Sequence, residues 1–319
     1  ETGTDLFLRG GDNKANQLAD YTIDLNGSQG TISNVWKNLY LSLSACNETL
    51  SLLPSPTLSE AENLSYEGQA RFWRAFYLWL IVENWGDVVL YTEPVVGAVT
   101  EAHRSSVDDF YKVIFDDLQF SVDNLSEGKS IDGRITQDVA KAFKARVCLT
   151  RACETKNMSL YNEARTLAMD LIGSTRYSLY DNYADMWDIA NCDGGINTEA
   201  VFSVNFTNSE LANSNFDATA TGCGNSGIVC FVMKYDKEAG MERDVLNARP
   251  FQRYMPSKHL LQLFDENIDQ RYHVTFKDVW IANKNPLSEA DLATYPNMTV
   301  GDTAVYIMKN VATSAEKRW

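Results

Sequence analysis

The chain carries only three histidines, His103, His259 and His273, too few and too scattered for a histidine metal centre or a conventional proton shuttle. No Gly-x-Ser-x-Gly elbow, His-Glu-x-x-His, Walker loop or Cys-His constellation accompanies them. The six cysteines, at 46, 148, 153, 192, 223 and 230, contain no Cys-x-x-Cys pair. Cys148 and Cys153 fall on different faces of one predicted helix, so buried thiols acting as small hydrophobes are the reading; only Cys223 and Cys230 flank a turn that could pair them. Gly222-Cys-Gly-Asn-Ser-Gly227 spells the dinucleotide fingerprint, but a strand must precede it and a helix N-terminus must follow it. A polar run precedes it and the strand-like Ile228–Val232 follows, so it reads as a surface loop. Asp265-Glu-Asn-Ile-Asp269 supplies oxygens at positions 1, 3 and 5 of a calcium loop, yet Gln270 replaces the turn glycine and Phe276 the bidentate glutamate. A looser calcium site stays open there, against a helix end in which Asp269 and Arg271 pair locally. Otherwise no cofactor is expected.

The aromatic residues offer non-covalent chemistry instead. Trp36, Trp73, Trp79, Phe76 and Phe110 recur at helix-core spacing. Trp187, Phe206, Tyr235, Tyr254 and Trp280 lie among Asn, Asp, Gln or Arg in loop-like sequence, where a ring face beside amides and carboxylates suits the apolar face and hydroxyl rim of a sugar. Carboxylate pairs for glycoside hydrolysis are numerous among 43 acids, but their separation is a property of the fold, and a solvated acidic surface is the simpler reading. The chain is therefore read as non-enzymatic.

The elements that must position these rings change character along the 319 residues. Residues 1–30 are polar and Gly/Asn/Asp-rich and read as a loop segment. From Ser33 a helix places Val35, Trp36, Leu39, Tyr40 and Leu43 on one face until Pro54. Ser59 with Glu62 forms a capping-box signature opening a helix that runs to Asn84, with Gly86 as a left-handed cap. Its charge-free stretch Ala75–Val82 is far short of the roughly 18 residues that span a bilayer. Ser106 or Val107 opens the next helix, with Phe110, Val113, Ile114, Leu118, Val122 and Leu125 as its stripe. Thr136 caps an alanine-rich helix whose small residues admit a close neighbour, and a further helix covers about Leu160 to Ile172. The expected fold is mainly α, a tetratricopeptide-like helical-repeat scaffold over 31–187, followed by a loop-rich region over 188–319. Short strands are expected there at Ala200–Phe206 and Ala304–Met308, with a helix from Ser257 to about Asn267. Lys and Arg total 28 against 43 Asp and Glu, a net charge of −15, and no basic run exists, so nucleic acid is an unsuitable partner.

Several of these segments resemble the SusD/RagB family of surface glycan-binding lipoproteins of Bacteroidetes outer membranes. Ala70-Arg-Phe-Trp-Arg-Ala-Phe-Tyr-Leu-Trp79 running into Asn84-Trp-Gly-Asp-Val-Val-Leu-Tyr-Thr-Glu-Pro94 is similar to the family's arginine-aromatic helix and Trp-Gly-Asp turn, with Val89 for the usual proline. Leu179–Trp187, Arg249–Ser257 with Asp269-Gln-Arg271, and Gly3-Thr-Asp5 are also alike, Ser257 standing for threonine. The resemblance implies glycan capture at the cell surface and delivery to a SusC-like TonB-dependent transporter, with peptide binding as the alternative and a glycoside hydrolase as a remote one. It adds Asp5 to the candidate ligand contacts. It also implies that the N-terminal lipid and the family's C-terminal segment are absent from this chain, which opens at Glu1 without a visible leader.

Overall fold

The computed structural model describes residues 3–10, 16–22, 25–131, 133–192, 196–204, 230–244, 246–247, 249–277, 279–281, 283–284, 289–294 and 305–307. Residues 30–205 form one compact unit, and residues 1–29 with 206–319 form another.

The first unit is a stack of helices, α2 (Gly30–Ser51), α3 (Glu60–Trp85), α4 (Val107–Asn124), α5 (Gln137–Thr155) and α6 (Met158–Ile172), each packed on the next. Neighbours run antiparallel. Trp36 near the start of α2 meets Trp85 at the end of α3, 5.1 Å between ring centroids. Tyr111 early in α4 donates to Glu83 late in α3 at 2.5 Å, while Ser121 late in α4 donates to the Gly68 carbonyl at 2.8 Å. Lys141 near the start of α5 reaches Asp170 near the end of α6 at 2.6 Å. The predicted stripes supply the core: Leu43, Leu78, Ile81, Phe110, Ile114, Leu118 and Val147 are buried, and Ala140 and Ala152 are fully enclosed where α5 meets its neighbours. Boundaries follow local chemistry. Ser59 with Glu62 and Ser106 with Asp109 both close capping boxes, and Thr136 caps α5.

The Trp85-Gly86-Asp87 turn is a junction between helices. Gly86 has φ 66° and ψ −134°, which is a glycine region but not the left-handed cap expected, and it lets the chain leave α3 sharply. Asp87 Oδ1 then accepts the Val107 amide at 3.0 Å, so the end of α3 satisfies the start of α4. Within the stack, α2, α3 and α4 are tied by a polar network in the apolar interior. Asp117 receives Arg74 Nε at 2.7 Å on one oxygen and Arg74 Nη2 at 2.8 Å on the other, with Arg71 Nη1 at 2.9 Å. Arg74 also reaches Asn47 Oδ1 and the Thr92 carbonyl, and Asn47 Nδ2 donates to the Tyr91 and Glu93 carbonyls, which straps residues 91–93 across α2.

The second unit is built from short pieces. β1 (Phe7–Arg9) pairs antiparallel with β2 (Tyr254–Pro256), and β3 (Val279–Ile281) with β4 (Val305–Ile307). Helices α1 (Asn16–Asp20), α7 (Lys258–Gln262), α8 (Arg271–Thr275) and α9 (Glu289–Thr294) lie between them. Leu261, Tyr272 and Phe276 form a small buried cluster under α7 and α8.

Several expectations are corrected. The N-terminal segment is not a plain loop: β1 pairs with β2, a strand remote in sequence that no local pattern discloses. Residues 200–204 of the expected Ala200–Phe206 strand are irregular, and the remainder falls outside the described residues. The helix expected over 257–267 stops at Gln262, and beyond it Asp265 Oδ1 takes the Asn267 amide at 3.0 Å in a turn that competes with helix. Val35, placed on an inner face by periodicity, is exposed.

Candidate functional site

The loop-rich unit contains a cavity of about 280 Å³ built around Trp280. Tyr235, in a short 3-10 turn (Tyr235–Lys237), stacks on Trp280 with centroids 5.1 Å apart and planes 22° off parallel. Trp280 Nε1 donates to the Lys277 carbonyl at 3.2 Å, and the Lys277 ammonium lies over the indole, 4.0 Å from a ring centroid. Lys277 Nζ also donates to Asn247 Oδ1. Asn247 is held in turn by Asp244, whose Oδ1 accepts its backbone amide at 2.6 Å and whose Oδ2 accepts its side-chain amide at 2.7 Å. Burial opposes the charge on Asp244, but these hydrogen bonds and that from Asn283 prevail and hold its carboxyl below the ordinary range. Burial pulls the Lys277 ammonium below its usual value, with Asp244 acting against it.

Phe231, Val232, Leu246 and Trp280 supply the apolar walls of this cavity, and Asn247, Thr275 and Lys277 its polar groups. That combination suits one sugar-sized ligand: ring edges for an apolar face, and an amide, a hydroxyl and an ammonium for hydroxyls. Trp280 and Tyr235 are only 3% and 0% exposed, so they act as a wall and its backing, not as an open stacking platform.

The other nominated residues fall in three places. Tyr254 on β2 is half-buried and tilts against Phe231 at 5.3 Å, and Phe231 meets Phe7 of β1 edge-on at 5.7 Å. Phe231 therefore joins the β1–β2 ribbon to the cavity. Asp5 sits at the same ribbon: its carbonyl accepts Ser257 Oγ at 2.6 Å, while its carboxylate is largely exposed, 4.0 Å from His259. Trp187 belongs to the helical unit, at the end of a 3-10 turn (Tyr183–Trp187), exposed and edge-on to Tyr183 at 6.0 Å. Phe206 and the glycine fingerprint at 222–227, with Cys223, lie outside the described residues; Cys230 is a free thiol.

Phe231, Asn247, Thr275 and Lys277 escaped the sequence reading because the signal was aromatic residues beside polar ones, and these become neighbours only in the fold. Asp269 pairs with Arg271 at 2.6 Å. Among the described residues no three His, Cys, Asp or Glu side chains gather as metal ligands, and no helix is long and apolar enough to cross a membrane.

A family model described as "Starch-binding associating with outer membrane" (SusD-like_3) matches residues 6–149, which take in the arginine-aromatic helix and the Trp-Gly-Asp junction. Over these residues the chain is similar to the SusD-like family. A SusD-like protein, P25, of Formosa agariphila is 25% identical over 222 residues, covering 65% of this chain and 41% of that protein. Among solved structures, a SusD superfamily protein from Parabacteroides distasonis matches with a TM-score of 0.71 at 19% identity, covering 91% of this chain and 59% of that one. A laminarin binding SusD-like protein matches with a TM-score of 0.70 at 21% identity, covering 87% and 60%. The chain thus spans about two fifths of the curated relative's length and about three fifths of these two structures. The mainly helical expectation agrees with these folds.

Proposed function

We propose that this chain is a non-catalytic glycan-binding protein of the cell surface, associated with the outer membrane, that delivers oligosaccharides to a SusC-like TonB-dependent transporter. The observation carrying this reading is the Trp280 cavity, where aromatic edges face an amide, a hydroxyl and an ammonium within one ring-sized volume. The family's description as starch-binding and outer-membrane associating supports it, as does the fold shared with a laminarin binding protein. In this reading membrane attachment comes from a lipid anchor, and capture needs neither cofactor nor bond cleavage.

Titration calorimetry with starch-, laminarin- and xyloglucan-derived oligosaccharides, alongside oligopeptides, tests it. A glycan should bind without release of new reducing ends. Asn247→Ala and Thr275→Val should each weaken it about five- to tenfold, the worth of roughly 1 to 1.4 kcal/mol for one hydrogen bond. Binding of peptides with no glycan bound, or steady product release, would sink the reading.

A further inference from the structure

The helical unit has a larger recess that the Trp280 cavity does not explain. About 890 Å³ opens between α2, the turn after it and α3, with Tyr66, Trp73 and Tyr77 on one wall and the hydroxyls of Ser42 and Thr49 on the other. Trp73 and Tyr77 stack with centroids 5.9 Å apart and planes 24° off parallel, and Tyr66 is 48% exposed. Arg134 also lines the recess. Its backbone is fixed: the Arg134 amide donates to the Ile131 carbonyl at 3.2 Å, Ser130 Oγ donates to the Arg134 carbonyl at 2.6 Å, and the following amide, Ile135, donates to Gln69 Oε1 of α3 at 3.4 Å.

Arg71, Arg74, Arg151, Arg176, Lys141 and Lys144 of this unit are all committed to ion pairs. The Arg134 guanidinium, like those of Arg104, Arg146 and Arg165, has no ion pair among the described residues, and unlike them it lines this recess. Arg134 is exposed at the recess it lines, and a planar guanidinium there can offer two parallel N–H donors to the two oxygens of a carboxylate on a sugar ring. The walls are helices whose backbone amides are spent internally, so an extended peptide finds no strand edge to pair with.

We propose that this recess is a second carbohydrate site, selective for a sugar unit bearing a carboxylate, with Arg134 as its anion-recognising residue. The proposal rests on the glycan-binding reading and deepens it by naming an acidic ligand class.

The test uses the full chain and calorimetry with a uronic-acid trisaccharide, its methyl ester and neutral oligosaccharides. The acid should bind at least tenfold more tightly than the ester and weaken as salt rises. Arg134→Gln should remove that preference, Arg134→Lys should restore part of it, and Asn247→Ala should leave it intact. Equal binding of acid and ester, an unchanged Arg134→Gln variant, or an acidic peptide outcompeting the uronate would each overturn it. Neutral glycan binding that is weakened in Asn247→Ala, with no uronate binding, removes this site alone. Binding of no glycan at all removes the reading beneath it as well.

Discussion

Asp117 is 1% exposed by side chain and lies in the middle of an apolar stack, where two arginines occupy both of its oxygens. Asp117→Asn leaves Arg74 buried with a broken fork and should cost about 3 to 5 kcal/mol, seen in urea melts as a lower midpoint with unchanged slope. The double variant Arg74→Met, Asp117→Leu should cost less than the sum of the two single changes, because the pair disappears together. In the sequence Arg74 directly precedes the charge-free run Ala75–Val82, but its partner is supplied by another helix and carries no local signature. Trp280 is similar. Its polar neighbours were legible and suggested a sugar contact, whereas its stacking on Tyr235 arises only when a strand meets a 3-10 turn distant in the chain. Trp280→Ala should therefore destabilise the loop-rich unit by about 3 to 5 kcal/mol before any effect on ligand is read, which is why Asn247 and Thr275 are the better probes of binding.

Helix starts were the most legible elements, because a capping box is written within four residues. Ser59 Oγ accepts the Glu62 amide, and Glu62 returns to the Ser59 amide at 2.9 Å. Ser59→Ala should lower the melting temperature by about 2 to 4 °C. Hydrogen bonds from Ser59 hold Glu62 below its ordinary 4.5, and those from Ser106 hold Asp109 below its ordinary 3.8. A depressed carboxyl contributes stability above its unfolded value and loses it as pH falls through the folded one. Thermal melts should thus be level near neutrality and decline below about pH 4, with a shallower decline in the Glu62→Gln, Asp109→Asn variant. Strands were less legible. The β1–β2 ribbon depends on a close approach at Gly10, where a Cβ would stand 1.7 Å from the Gln252 carbonyl oxygen. Gly10→Ala should separate the strands, and hydrogen exchange at Leu8 and Gly10 should accelerate while the α3 and α4 amides stay protected.

At the scale of the molecule, the helical unit draws its core from α2 to α5 with Val201 and Phe202 packed against it. A fragment of residues 30–205 should keep a helical circular dichroism spectrum and a cooperative melt. Its architecture was readable from sequence since its contacts join consecutive helices, each with a stripe of period 3.6. The loop-rich unit resisted the same reading because its pairings are remote: Phe7 faces Pro256 and Arg9 faces Tyr254. That remoteness has a consequence for synthesis. A chain emerging from its N-terminus completes the local helical stack while Phe7–Arg9 still lacks a partner, because Tyr254–Pro256 has yet to be made. Phe7–Arg9, the first of the described strands along the chain, is therefore among the last of them to find its partner.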